Sequence, residues 1–148
     1  MIRERAAREQ VNWDDVQVDH ELPSFSLKID PLRVAFQASG SQDFYPIHYD
    51  PDVARANGLP GVIMNTSFLK GCLARVLTDW IGDAGFLRRL KFEMRRPIVV
   101  GDTLTCKGKV TETYLDADQA CVDCEVWIEN ERDGVCVPAT ATVWLPRR

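Results

Sequence analysis

The chain has 148 residues, of which 45% are hydrophobic and 27% charged, with a formal net charge of −4. This length predicts a single domain over residues 1–148. Residues 1–14 of this domain are a charged N-terminal segment. The apolar content excludes a disordered tail, and the acidic pI of about 5.2 gives no general attraction for nucleic acid.

The hydropathy pattern opposes both a secretory signal and a membrane-spanning helix. The first ten residues alternate both signs of charge and lack the apolar core of a secretory signal. The most apolar stretch, residues 68–81, is interrupted by three charged side chains and is therefore not a membrane span. We expect a soluble, cytoplasmic protein with no nucleic-acid or membrane partner.

Five cysteines invite a metal or disulfide interpretation, which their spacing opposes. Their number is odd and they are scattered along the chain. The one close pair, Cys121 and Cys124, falls in a predicted strand, where positions three apart point to opposite faces. We predict reduced cysteines that pack in the core, and no metal site.

The first predicted helix has a clear start and stop. Asp30 is placed as its N-cap and Pro31 at its first helical position, and Gly40 ends it. The predicted apolar face consists of Leu32, Ala35, Phe36 and Ser39. An irregular loop over residues 41–50 follows, and then a short helix over residues 51–57.

The longest predicted helix runs from about Thr66 to Ile81. Asn65 or Thr66 is expected near its N-cap, and Gly82 lies just beyond its end. Apolar residues cover more than a narrow stripe of this helix. A helix of this kind is expected to be wrapped by other structure rather than laid on a surface.

The remaining chain is typical of antiparallel strands with one apolar face. Apolar and polar residues alternate over about residues 90–95, 104–110, 120–128 and 135–145, and Asp133-Gly134 predicts a hairpin turn. Such a sheet needs a cover for its apolar face, which the long helix can supply. We therefore predict an α+β hot-dog fold, in which the antiparallel sheet is wrapped around a long central helix.

The loop over residues 41–50 has the densest functional groups of the chain. Asp43, Tyr45, His48, Tyr49 and Asp50 lie within eight positions. An acid and a histidine held close together can divide a proton transfer, one accepting a proton while the other donates one. The alternative is that Asp43 caps a turn and His48 is merely solvated.

Residues 39–65 resemble the MaoC-like family of (R)-specific enoyl-CoA hydratases and dehydratases. The family motif D-x-N-P-x-H corresponds to DFYPIH at residues 43–48, which an acidic residue, a short helix and the turn GLPG at residues 58–61 follow. The stretch RRPIVVGDTLTCKGKVTE at residues 95–112 is also similar to the strand entry of this family.

The resemblance implies a role for each matching position. Asp43 and His48 correspond to the catalytic pair that orients and activates water for addition to a 2-enoyl thioester. The backbone N–H of Thr66 corresponds to the donor that receives the oxyanion, beside the positive end of the central helix. The substrate-binding positions implied in this part of the chain are Tyr45, Pro46, Gly61 and Asn65.

The chain departs from the family pattern at two places. Asn65-Thr66 stands where the family has His-Gly, and Tyr45 replaces the asparagine of the motif. Thr66 keeps the N–H donor but narrows the space beside the thioester. In having an asparagine at the helix start, the chain resembles the small subunit of the heteromeric actinobacterial steroid side-chain hydratases of this family.

A basic run over residues 88–96 is a candidate for binding the phosphates of coenzyme A. Arg88, Arg89 and Arg95 are its predicted substrate-binding members, since guanidinium groups bind phosphates well. The alternative is a solvated strand face.

The resemblance also implies partners and cofactors. The substrate is an acyl-CoA thioester, and no metal or organic cofactor is expected, because coenzyme A enters as part of the substrate. The family implies a homodimer, or a heteromer with a second MaoC-like chain. The hypotheses are an enoyl-CoA hydratase acting on a simple or bulky, steroid-type acyl group, an acyl-CoA thioesterase, and a non-catalytic acyl-CoA-binding subunit.

Overall fold

The computed structural model describes residues 8–148, in which one sheet and three helices account for the regular structure. Two short 3₁₀ turns cover Trp13–Asp15 and Pro46–His48. In chain order the other elements are β1 (Phe25–Lys28), α1 (Pro31–Ser41), α2 (Pro51–Ala56), α3 (Thr66–Trp80), β2 (Phe86–Phe92), β3 (Thr103–Asp116), β4 (Gln119–Asn130) and β5 (Gly134–Trp144).

The five strands form one antiparallel sheet in the order β1-β3-β4-β5-β2, so that β1 and β2 are its edges. The sheet curls around α3, whose buried side chains are Leu69, Cys72, Leu73, Val76, Leu77 and Trp80. The predicted α+β hot-dog fold is therefore confirmed. The short edge strand β1 is additional to the four predicted strands, and β2 begins and ends earlier than its alternation indicated.

The predicted N-cap of α1 is confirmed, but its predicted end is wrong, because Gly40 lies inside the helix, which continues to Ser41. The Asp30 carboxylate accepts the backbone N–H of Arg33 and so caps α1. The Asp50 carboxylate accepts the backbone N–H groups of Asp52 and Val53 and caps α2. The local sequence thus determined where these helices begin.

The predicted buried face of α1 is wrong. Leu32 and Phe36 are 63% and 69% exposed, whereas Val34, Gln37 and Ala38 are buried. The buried side includes the polar Gln37, whose amide oxygen accepts a buried backbone N–H at the start of α3. This side of α1 faces inward, and the two large apolar side chains Leu32 and Phe36 are left exposed.

The segment that leads into α3 is held by the chain before β3. The N–H of Met64 donates to Ile98 O at 2.8 Å, and the N–H of Val100 donates to Val62 O at 3.0 Å. Ile63 forms an isolated antiparallel bridge with Val99 between these two bonds. This pairing fixes the backbone of residues 62–64, on which the histidine of the candidate site depends.

All five cysteines are free and buried, as expected of packing residues. Burial, with a smaller contribution from the nearby Asp123 carboxylate, raises the pKa of the Cys124 thiol to about 12. Within residues 8–148 no cluster of three or more His, Cys, Asp or Glu side chains could hold a metal ion. No helix in this part of the chain is long and apolar enough to cross a membrane.

Candidate active site

The acidic residue of the candidate site is placed by the end of α1. The chain leaves this helix through Gln42, which has a left-handed conformation with a φ of 55°. The N–H of Asp43 then donates to Ala38 O at 3.1 Å. Three residues later a 3₁₀ turn begins at Pro46, and it ends at His48. These two local structures bring the Asp43 carboxylate and the His48 imidazole together.

The two side chains are in direct contact, with 3.3 Å between His48 Nε2 and Asp43 Oδ2. The imidazole is almost fully buried, whereas the Asp43 side chain is 40% exposed. A pair built in this way has one partner held rigidly in the protein and one partner open to an incoming molecule.

A backbone carbonyl determines the tautomer of the imidazole. His48 Nδ1 lies 2.9 Å from Ile63 O, and a carbonyl oxygen only accepts hydrogen bonds. Nδ1 therefore carries a proton, and in the neutral ring Nε2 has a lone pair directed toward Asp43. Two acceptors then face each other, and a water molecule placed beside them can donate one O–H to each.

Asn65 connects the Asp43 carboxylate to the start of α3. Its Oδ1 accepts the N–H of Phe68 at 3.0 Å, which makes it the N-cap of the helix. Its Nδ2 donates to Ser41 Oγ at 2.7 Å and to Asp43 Oδ2 at 3.3 Å. Asn65 is only 2% exposed, so its side chain orients the carboxylate rather than standing open to a ligand.

The first turn of α3 leaves two backbone donors open. Thr66 and Ser67 are exposed, and among the hydrogen bonds of residues 8–148 none uses their N–H groups. The first N–H groups of any helix lack partners within the helix and lie at its positive end. The predicted oxyanion donor, the N–H of Thr66, therefore lies next to the residue that contacts Asp43.

The other predicted residues of the loop and turn lie around this pair. Tyr45 is 55% exposed, and its ring is edge-on to the His48 ring with 6.4 Å between the centroids. Pro46 opens the 3₁₀ turn that carries His48. Gly61 is half-buried before α3, and a Cβ built on it would meet open space, so packing does not demand glycine there.

The predicted arginines fall into two separate places. Arg88 and Arg89 line a groove between β2 and the first half of α3, which Ser67 and Lys70 also line. Arg95 lies outside this groove and pairs with Glu93 at 3.1 Å. The Arg89 guanidinium donates to Thr142 Oγ1 at 3.4 Å, and the Arg88 guanidinium lies 5.4 Å from the centroid of the Trp144 ring. Lys70, Arg88 and Arg89 thus border the groove, and Arg95 does not.

Sequence reasoning missed three groups that build the site, namely Gln37, Ser41 and the carbonyl of Ile63. A detectable sign existed for the first two, because both lie on one stripe of α1 with Val34 and Ala38, at spacings of three and four. A polar residue within an otherwise apolar stripe indicates a buried hydrogen bond. The carbonyl has no sign in the sequence, because any residue supplies one.

Comparison with known proteins is consistent with this geometry. The model of the MaoC like domain matches residues 16–130. The beta subunit of the 3-oxo-4,17-pregnadiene-20-carboxyl-CoA hydratase of Mycobacterium tuberculosis is 31% identical over 90 residues, which are 61% of this chain and 70% of the relative.

Solved structures have the same fold. The ChsH1-ChsH2 complex from Mycobacterium tuberculosis includes a chain that is 28% identical, with a TM-score of 0.79 over 87% of this chain and 98% of that one. The (R)-hydratase from A. caviae is 24% identical, with a TM-score of 0.78 over 89% of this chain and 98% of that one. Since the family model covers most of its length, the chain belongs to the MaoC-like dehydratase family.

Proposed function

We propose that this chain is an enoyl-CoA hydratase, a hydro-lyase that adds water reversibly to a 2-enoyl-CoA and yields a 3-hydroxyacyl-CoA. The observation that carries the proposal is the contact of His48 Nε2 with Asp43 Oδ2 at 3.3 Å, beside the open N–H groups of Thr66 and Ser67. Hydration needs both parts, because one activates water and the other stabilises the charge that the addition creates.

The chemistry follows from the proton positions. The oxygen of a water molecule held by Asp43 and His48 forms a bond to the β-carbon, and one of its protons passes to the pair. The electrons of the double bond move onto the thioester oxygen, which accepts a hydrogen bond from the N–H of Thr66. The enolate then collapses and takes a proton from the pair at its α-carbon, so the site returns to its starting state.

The acyl group that we propose is bulky and of steroid type. The support is the similarity to a hydratase subunit whose name specifies a pregnadiene carboxyl-CoA. Tyr45 and Thr66, at which the chain departs from the family pattern, are both exposed near the pair, so both can contact an acyl group bound there.

We propose that the groove between α3 and β2 binds the phosphates of coenzyme A. Three basic residues border it, namely Lys70, Arg88 and Arg89, and their long side chains can turn toward a phosphate; Ser67, which also lines it, belongs to the first turn of α3. The double substitution Arg88→Ala with Arg89→Ala is expected to raise KM about tenfold, with little change in kcat, because it removes binding that ground and transition states share.

Steady-state kinetics at low and high salt measure this effect. The difference between wild type and double variant should shrink as salt increases, because exposed charges are screened. Arg55→Ala, which removes an exposed arginine of α2 that pairs with Asp52, is the control. A KM for the double variant equal to that of the control would contradict the proposed phosphate groove.

We propose that the complete enzyme contains a second MaoC-like hot dog, either an identical chain or a different one. β2 is an edge strand of the sheet, and the groove beside it is open in the single chain. A heteromer is favoured by similarity to a structure described as a ChsH1-ChsH2 complex. Native mass spectrometry of the purified chain distinguishes a homodimer, which has twice the mass of the chain, from a monomer that needs a different chain as its partner.

The proposed function is tested by incubating the protein with short, long and steroid-type 2-enoyl-CoAs. Loss of the enoyl absorbance and release of free thiol are followed together. We expect enoyl loss without thiol release, which is hydration. Thiol release would instead indicate an acyl-CoA thioesterase, and silence on every substrate, in a sample shown to be oligomeric, would indicate a non-catalytic acyl-CoA-binding subunit.

A further inference from the structure

We infer that Gln37 of α1 is a positioning residue for this site. It caps the start of α3 from another helix and so holds the backbone that carries the open N–H groups of Thr66 and Ser67. The inference rests on the proposed function for its catalytic consequence, whereas the capping itself rests only on contacts within the chain. Gln37 does not belong to the motif loop and lies 28 positions before the residue that it contacts.

The environment of Gln37 is unusual for an amide side chain. The residue is only 7% exposed, and its Oε1 accepts the backbone N–H of Asn65 at 3.0 Å. Its Nε2 is buried without a hydrogen-bond partner in the part of the chain that the structure describes. A buried, unpaired donor is unfavourable, so we infer that the hydrogen bond accepted by Oε1 offsets the cost of burying Nε2.

The order of residues at the start of α3 explains why an outside acceptor is needed. In a capping box, a Glu or Gln at the third helical position accepts the N–H of the N-cap residue. Here that position is Phe68, which has no acceptor, so the N–H of Asn65 would be buried without a partner. Gln37 supplies the missing acceptor from α1.

This arrangement leaves two of the first four N–H groups open. Of the four N–H groups that begin α3, that of Asn65 is used by Gln37 and that of Phe68 by the Asn65 side chain. The two that remain belong to Thr66 and Ser67, the pair available to an oxyanion. With the Asn65 N–H unpaired, the backbone of the first turn would be free to rotate toward another acceptor.

Hydrogen bonds through Ser41 and Asn65 connect Gln37 with the Asp43 carboxylate. Ser41 Oγ donates to the backbone carbonyl of Gln37 at 2.6 Å and accepts from Asn65 Nδ2 at 2.7 Å. Asn65 Nδ2 is also 3.3 Å from Asp43 Oδ2. A displacement of Asn65 therefore moves both the Thr66 N–H, which would bind the thioester oxygen, and Asp43, which would hold the attacking water.

The test compares two substitutions of nearly equal size. Gln37→Met removes the acceptor, whereas Gln37→Glu keeps an oxygen for the Asn65 N–H and places negative charge near the positive end of α3. Gln17→Met, at an exposed glutamine, is the matched control. Amide hydrogen exchange by NMR reports the cap, and steady-state kinetics with a short 2-enoyl-CoA report the reaction.

In Gln37→Met we expect the Asn65 amide to exchange at least about tenfold faster, while the Leu69 amide keeps its protection. We expect kcat to fall about tenfold or more with KM within about threefold, because misplaced groups act on the transition state. Gln37→Glu should keep the Asn65 protection and recover most of kcat, and Gln17→Met should match wild type.

Two results would overturn the inference. Unchanged protection of the Asn65 amide in Gln37→Met would show that Gln37 does not cap α3. Lost protection with unchanged kcat would show that the cap has no effect on catalysis. A failure of the proposed function looks different, because wild type itself would then not hydrate enoyl-CoA. Hydrogen exchange at Asn65 decides the capping role in that case as well.

Discussion

Asp43→Asn is expected to lower the rate of enoyl-CoA hydration about 100-fold or more. The substitution keeps the size of the side chain but replaces a basic carboxylate by an amide, which cannot accept a proton from water. His48→Gln is expected to act similarly, because it removes the lone pair of Nε2 that lies 3.3 Å from Asp43 Oδ2. The measurement is kcat/KM from the loss of enoyl absorbance, with thermal unfolding to establish that each variant is folded.

The chain contains a matched control for each of these variants. Asp50→Asn changes an acid of the same loop, and the new amide oxygen can still cap α2 as Asp50 does. His20→Gln changes the other of the two histidines, which is exposed and stacks on Trp80. We expect both controls to hydrate substrate at wild-type rates. Site assignment fails if Asp43→Asn and His48→Gln are as active as these controls.

Thr66→Pro is expected to lower kcat about 100- to 1,000-fold, corresponding to about 3–4 kcal/mol of lost oxyanion stabilisation. Proline removes the backbone N–H of this residue. It is also favoured at the first position of a helix, where no intrahelical bond is lost. The preceding Asn65 has the extended conformation, with a φ of −80° and a ψ of 161°, that a residue before proline prefers.

The helix should therefore remain intact while the proposed donor disappears. Thr66→Ala is the comparison, because it removes the side chain and retains the N–H. The ratio of kcat between Thr66→Ala and Thr66→Pro isolates the backbone donor from the side chain. Circular dichroism and the unfolding temperature check the fold, and equal kcat values in the two folded variants would show that the oxyanion is stabilised elsewhere.

Much of the fold can be predicted from local sequence patterns. Asp30 before Pro31 predicts the start of α1. The sequence predicts Asn65 or Thr66 near the start of α3, and Asn65 is the N-cap, because capping depends on a side chain within three residues of the N–H it accepts. The hairpin at Asp133-Gly134 is equally local, and Gly134 has the positive φ of 68° that its turn uses. Alternation of apolar residues then predicts the long strands and the hot-dog arrangement.

The candidate pair was also predicted from the sequence, but its geometry was not. The spacing of five between Asp43 and His48 and the resemblance of the loop to a family motif identified the residues. Whether they touch depends on the left-handed exit from α1 at Gln42 and on the 3₁₀ turn at Pro46. The tautomer of His48 depends further on the carbonyl of Ile63, which the pairing with Val99 holds in place.

The sequence by itself determined the helix starts, the four longer strands and the two residues proposed to carry the chemistry, because each rests on neighbours within a few positions. Only the tertiary structure decided which face of α1 is buried, and with it the contact of Gln37 with Asn65. It also separated Arg95 from Arg88 and Arg89, which are close in sequence. These features depend on how helices and strands cross, and local patterns do not specify which distant polar atoms meet when an apolar surface is buried.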